Sequence, residues 1–165
     1  MVIGNLITSI FCALPIIVIF LFENPIYPAK ITDDILVFYY IIVYSSFAFL
    51  TTLIREIIKD IEDVDGDLQL KAKTLPIVLG RERAKNIAVV ISLILLISLI
   101  QISTNFLYPK PLLLGYTFIF ILLPLAYFTY QLWNANSKKE FHILSNFMKL
   151  IMLLGILSML FFRLN

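Results

Sequence analysis

The stretch REIIKDIEDVDGD, Arg55–Asp67, places six carboxylates and two basic side chains within thirteen residues. The chain around it is apolar: of 165 residues, 61% are hydrophobic and 15% charged. A soluble domain carries about a quarter charged residues, so this balance points to a membrane protein with the quoted stretch at its surface. The residues just before it, Ile35–Ile54, carry no charge. They are long enough to cross a bilayer, which takes roughly 20 apolar residues. Four more runs have that character: Ile3–Phe22 with Pro15 inside, Asn86–Ser103, Leu112–Trp133 with Pro124 inside, and Ile143–Phe162, interrupted by Asn146 and Lys149. Membrane helices tolerate interior proline. The runs are continuous rather than alternating, which argues against a β-barrel. The expected fold is all-α, a transmembrane helical bundle of five spans forming a single membrane domain over residues 1–165.

The polar residues give an orientation. Arg55, Lys59, Lys71, Lys73, Arg81, Arg83 and Lys85 crowd between the second and third spans, and Lys138 and Lys139 lie between the fourth and fifth. The opposite loops carry Lys30 and Lys110, and the C-terminus Arg163. Cationic loops stay in the cytoplasm. The acidic stretch is therefore expected on the cytoplasmic side of a cell inner membrane, with Tyr127, Tyr130 and Trp133 in an interfacial belt or packed in lipid. The net charge of +2 is too small to recruit nucleic acid. Cys12, within an apolar run, reads as a small core or lipid-facing residue, and the first run, without a basic leader, as a mature span.

If the second helix continues past Ile54 at about 100° per residue, Glu56, Asp60, Asp63 and Asp67 share one stripe, which runs back through Thr52, Phe49 and Ser45. Glu62 and Asp65 fall on the other side, as solvated groups, and Gly66 is a place for the helix to end. Stacked carboxylates repel by a few tenths of a kcal/mol per exposed pair, so three or four together call for a cation. Monodentate aspartates suit Mg²⁺ completed by water and phosphate oxygens, and the neighbouring bases suit a phosphate or diphosphate. DVDGD resembles a calcium loop, but with Gly66 at position six, Ile61 and Ala72 fall where carboxylates are required. His142 reads as a surface residue of a cytoplasmic loop. Lys149 reads either as a functional intramembrane charge or as a snorkelling side chain.

REIIKDIEDVDGD followed by KAKTLPIVLGRERAKN resembles the second aspartate-rich motif of the UbiA family of intramembrane prenyltransferases. The resemblance rests on Asp60-x-x-Asp63, Asp63-x-x-x-Asp67 and Lys73-Thr74-Leu75-Pro76, over Leu53 to Asn86. The form REIIKDIED most resembles the branch that makes digeranylgeranylglyceryl phosphate, and branches acting on 4-hydroxybenzoate and other quinone precursors share the pattern. The resemblance implies spans five to nine of a nine-span bundle. It implies Asp60, Asp63 and Asp67 as Mg²⁺ ligands and catalytic residues; of the neighbouring bases, Arg55, Lys59, Lys73 and Arg81 are expected against a prenyl diphosphate, and Phe49, on the same stripe, is read either as an aromatic face for the allylic cation or as a packing residue. Arg83 is a further possible diphosphate contact, and Arg83 and Lys85 are also read as membrane anchors. The acceptor would be a lipid or an aromatic compound, and the surrounding membrane lipids are further partners. The family's first motif, N-x-x-x-D-x-x-x-D, has no match here; Asp33 and Asp34 fall in a loop expected outside. The chain is thus expected to be the C-terminal half of such an enzyme, with a separate N-terminal half as partner. A noncatalytic membrane remnant and a transporter component with an acidic vestibule are the readings from other classes; a cation path would place acids within the spans.

Overall fold

The computed structural model describes residues 2–23, 31–106 and 111–163. Lys30 and Lys110 lie outside them. The elements are α1 (Val2–Glu23), α2 (Ile31–Glu62), α3 (Val64–Gln69), α4 (Leu75–Leu79), α5 (Arg81–Phe106), α6 (Pro111–Tyr116), a π-helical turn (Thr117–Leu122), α7 (Leu123–Asn134), α8 (Lys138–Leu157) and a closing 3₁₀ stretch (Ser158–Arg163). No strand occurs among the described residues. Five helical segments are long and apolar enough to cross a membrane: Ile3–Phe22, Val37–Glu62, Arg81–Thr104, Pro111–Asn134 and Lys138–Leu160. The expected all-α fold with five spans is therefore what the chain forms.

Three features of these elements differ from expectation. Helix α2 starts at Ile31, so Asp33 and Asp34 belong to its first turn and not to a loop. Helix α8 starts at Lys138, which places His142 on a helix. The cause is a capping box: Ser137 accepts from the Glu140 amide, while the Glu140 carboxylate accepts from the amides of Asn136 and Ser137 at 2.8 Å each. The box satisfies amides that a helix start leaves without partners, so the charged Lys138-Lys139-Glu140 run becomes a first turn. Finally, the fourth span is not uniformly α-helical. Pro124 has no N–H to return to the Phe120 carbonyl and its ring crowds that oxygen, and the turn ahead of it widens into the π form.

The described residues fall into two compact units, Val2–Leu53 and Ile54–Asn165, with the division inside α2. In the first, Phe20 and Phe38 stack tilted at 5.6 Å. Hydroxyls are returned to the helix backbone, Ser9 to Asn5 O at 2.6 Å and Thr51 to Phe47 O at 2.7 Å, as a medium without water requires. Cys12 is exposed, in keeping with a lipid-facing thiol.

In the second unit α5 packs on α7 and α7 on α8. Leu125, Phe128 and Leu132 of α7 are buried, as are Leu144, Met148 and Ile151 of α8, both at helical spacing. Phe147 joins the two helices, edge-on to Tyr127 at 5.9 Å and tilted against Phe128 at 6.4 Å. Tyr127, Tyr130 and Trp133 keep exposed surfaces, the placement of an outward aromatic band. Arg83 is exposed, but Lys85 is no surface anchor. Its side chain is 8% exposed, and Nζ donates to Ala135 O at 3.1 Å and Asn136 Oδ1 at 3.2 Å while pairing with Glu82 at 3.1 Å. It ties the start of α5 to the α7–α8 connection. Because Glu82 stays exposed, truncating the lysine strands no buried charge. Lys85→Met should therefore cost the hydrogen bonds alone, about 1–3 kcal/mol, read as a lowered thermal midpoint of the purified chain in detergent.

Candidate functional site

The last turns of α2 carry two different faces. Ile54, Ile57, Ile58 and Ile61 are buried at the i, i+3, i+4, i+7 spacing of a core stripe. At about 100° per residue, Glu56 and Asp60 lie on the opposite side of the helix. Both are half-buried. The isoleucines thus anchor the helix by one face and leave the carboxylates on the other, and that part of the expected stripe is present.

The rest of the stripe is not a continuous row. The helix breaks at Asp63, not at Gly66: Asp63 takes φ −98° and ψ 11° and becomes the residue that precedes α3. Its carbonyl accepts from the amides of Gly66 at 2.9 Å and Asp67 at 3.0 Å, and its side chain is not used as a cap. Asp67 accordingly sits on a new short helix. That helix closes with a Schellman arrangement, Ala72 N–H to Asp67 O at 2.9 Å and Lys71 N–H to Leu68 O at 3.2 Å. Lys71 occupies the left-handed position at φ 53°, where glycine is usual. Thr74 then precedes α4, whose Pro76 sits near the start where no N–H is required. Gly80, at φ 91°, makes the sharp turn into α5.

The bases and acids sort into pairs. Arg55 bonds Glu56 at 2.7 Å. Arg81 bonds Asp65 at 2.9 Å, with the two side chains 52% and 69% exposed, so this proposed diphosphate contact already has a carboxylate partner. Glu62, expected to be solvated, is 14% exposed and lies 2.8 Å from Nδ1 of His142 on α8. Asp63 and Asp67 form no ion pair among the described residues, and Lys59 and Lys73 are exposed. Phe49 falls in the other unit. It lines an apolar concavity of about 290 Å³ with Ile10, Ala13, Leu14 and Ile17. What the sequence missed here is the orphaned Nε–H of Arg55: it is buried and has no acceptor. The Thr74 hydroxyl is likewise buried without a partner.

Carboxylate oxygens alone form the donor set, which suits a hard divalent cation. No group of three or more His, Cys, Asp or Glu side chains converges among the described residues. Mg²⁺ does not need such a cage, since one or two carboxylates with substrate phosphates and water complete its shell.

Residues 1–156 match the UbiA prenyltransferase family. The chain belongs to that family. Two of its relatives are the digeranylgeranylglyceryl phosphate synthases of Methanosphaera stadtmanae and Thermococcus onnurineus. The first is 39% identical over 114 residues and the second 33% over 116; each alignment covers 68% of this chain and 40% of the relative. The synthase of Thermococcus gammatolerans is 63% identical over 41 residues, 25% of this chain and 15% of the relative. The chain thus spans about two fifths of the length of the first of these curated relatives. No solved structure matches it. Five apolar spans and family membership make it an integral membrane protein.

The strained Lys71 gives a test of the turn that carries Asp67. Lys71→Gly removes the left-handed penalty and should raise stability by about 0.5–1 kcal/mol. Gly80→Ala should lower it by about 1–2 kcal/mol. Opposite shifts of the thermal midpoint in detergent would mark both backbone positions as described.

Proposed function

We propose that this chain carries the aspartate-bearing part of a prenyltransferase that moves a polyprenyl group from a prenyl diphosphate to the hydroxyl of a lipid acceptor. The observation that supports this most directly is Arg55. A buried guanidinium N–H without an acceptor is costly and would be met by an anionic oxygen, five residues before the half-buried Asp60 on the same helix. Relatives named for digeranylgeranylglyceryl phosphate favour geranylgeranylglyceryl phosphate as the acceptor over an aromatic quinone precursor.

In this reading Asp60, Asp63 and Asp67 supply the oxygens for Mg²⁺, one or two of them at a time. A divalent ion held there would supply charge neutralisation for the departing diphosphate. Arg55 donates to a diphosphate oxygen, while Lys59 and Lys73 approach from the exposed side as mobile charges. Arg81 contributes after exchanging Asp65 for phosphate. The allylic C–O bond breaks, the diphosphate leaves with its electron pair, and the acceptor oxygen forms the new C–O bond and releases its proton. The isoleucine face of α2 holds these groups at the end of an apolar bundle, where a hydrocarbon tail can enter lipid while the diphosphate stays in water. We place that end on the cytoplasmic side of the cell membrane from the lysine and arginine bias of its loops. We further propose that a separate segment supplies the family's other aspartate motif, the reading most consistent with alignments that cover two fifths of the first relatives.

Membranes containing the chain, with and without a co-expressed N-terminal half from a relative, can be given labelled geranylgeranyl diphosphate and geranylgeranylglyceryl phosphate. Transfer should require Mg²⁺ and the added half. Asp60→Ala and Asp63→Ala should each lower it about a hundredfold or more, and Arg55→Ala by a similar factor, the scale seen when one oriented charge-stabilising donor is lost. Transfer indifferent to both aspartate substitutions would remove the assignment.

A further inference from the structure

His142 is the single histidine of the chain. Asn146 and Lys149 follow it at i+4 and i+7, so the three side chains share one face of α8. Nδ1 of His142 lies 2.8 Å from Oε1 of Glu62, the last residue of α2. Nε2 lies 3.2 Å from Asn146 Nδ2, and Lys149 Nζ lies 2.9 Å from Asn146 Oδ1.

The donor inventory fixes the direction of this row. An ammonium only donates, so Asn146 turns its oxygen to Lys149 and its amide nitrogen to the imidazole. An amide nitrogen only donates as well, so Nε2 carries the lone pair. The ring proton is then on Nδ1, which donates to the Glu62 carboxylate. We propose that Lys149, Asn146, His142 and Glu62 form one directed hydrogen-bond chain that selects the Nδ1–H tautomer of His142. Through it His142 acts as a positioning residue: it clamps the carboxylate next to Asp63 and so sets where α2 stops and the aspartate turn begins. Only the consequence for transfer rests on the function proposed above; the hydrogen-bond chain stands on its own geometry.

This gives Lys149 a reason to be inside a span. Its charge is expensive there, and Asn146 both accepts from it and passes its orientation on. The charged group facing the imidazole from α2 is Glu62, and from α8 it is Lys149 behind Asn146. The plainer alternative is a polar strip whose contacts are incidental, in which case the imidazole would sample both tautomers.

The single histidine makes the test direct. The full chain, labelled with ¹⁵N-histidine in lipid nanodiscs at neutral pH, should show a pyrrole-type Nδ1 and a pyridine-type Nε2. Lys149→Met frees Asn146 to rotate and should shift the spectrum toward a mixture of tautomers. By hydrogen exchange, His142→Ala should speed exchange of the amides of residues 61–69 about tenfold, the worth of one charge-assisted bond. His142→Asn, whose amide can replace Nδ1–H, should restore most of the protection. An Nε2–H or cationic imidazole in the unsubstituted chain, a spectrum indifferent to Lys149→Met, or unchanged exchange in His142→Ala would each overturn the proposal. Loss of the aspartate dependence of transfer with the nitrogen spectrum intact would instead strike only the enzymatic reading.

Discussion

Repulsion among six carboxylates within thirteen residues is the constraint around which the charged end of this molecule is built. Acids one turn apart on a helix destabilise one another, and the chain relieves this in three ways. It neutralises some acids locally, as Arg55 does for Glu56. It pairs others at a distance, Asp65 with Arg81 and Glu62 with His142. And it breaks the helix at Asp63, which takes Asp67 out of register with the row above. Pairing therefore sorts the acids by role. Those with cationic or imidazole partners hold the local fold together, and Asp63 and Asp67 keep carboxylates without ion pairs among the described residues.

The same division explains which parts of the fold were legible in the sequence. The five spans were, because an apolar run of the right length has few alternatives in a chain this hydrophobic. The face shared by Glu56 and Asp60 was also legible, since α2 does continue past Ile54 as a helix. Its end was not. Nothing in IEDVDGD forbids another helical turn, and the glycine drew attention three residues too far along the chain. The early start of α8 did have a signal: Ser137-Lys138-Lys139-Glu140 is a capping box. Its charges look like loop until the two reciprocal hydrogen bonds are considered.

What sequence periodicity could not supply was any partnership across the chain. Helical projection put Glu62 on the side away from Asp60, which the burial pattern supports, but that side is not water. It is the side that meets α8, and His142 is 80 residues away. Lys85 shows the same failing: its neighbours in sequence suggest a surface cation, while its acceptors are Ala135 and Asn136, 50 and 51 residues on. Local spacing fixes a side chain's direction, not what it will meet there.

A transmembrane bundle has little hydrophobic driving force between its helices, because lipid is as apolar as they are. Close packing and polar contacts must fix the arrangement instead. Here those contacts gather at the charged end: Lys85 joins α5 to the α7–α8 connection, and Glu62 joins α2 to α8. The isoleucine stripe can settle the rotation of α2 but leaves its axial position weakly determined, since sliding by a turn replaces one isoleucine with another. A carboxylate held at 2.8 Å from an imidazole admits no such slide. The polar bonds thus set the axial register at the place where Asp60, Asp63 and Asp67 leave the bundle. Position is most tightly specified where charges meet charges, and the spans behind them need only be long and apolar enough.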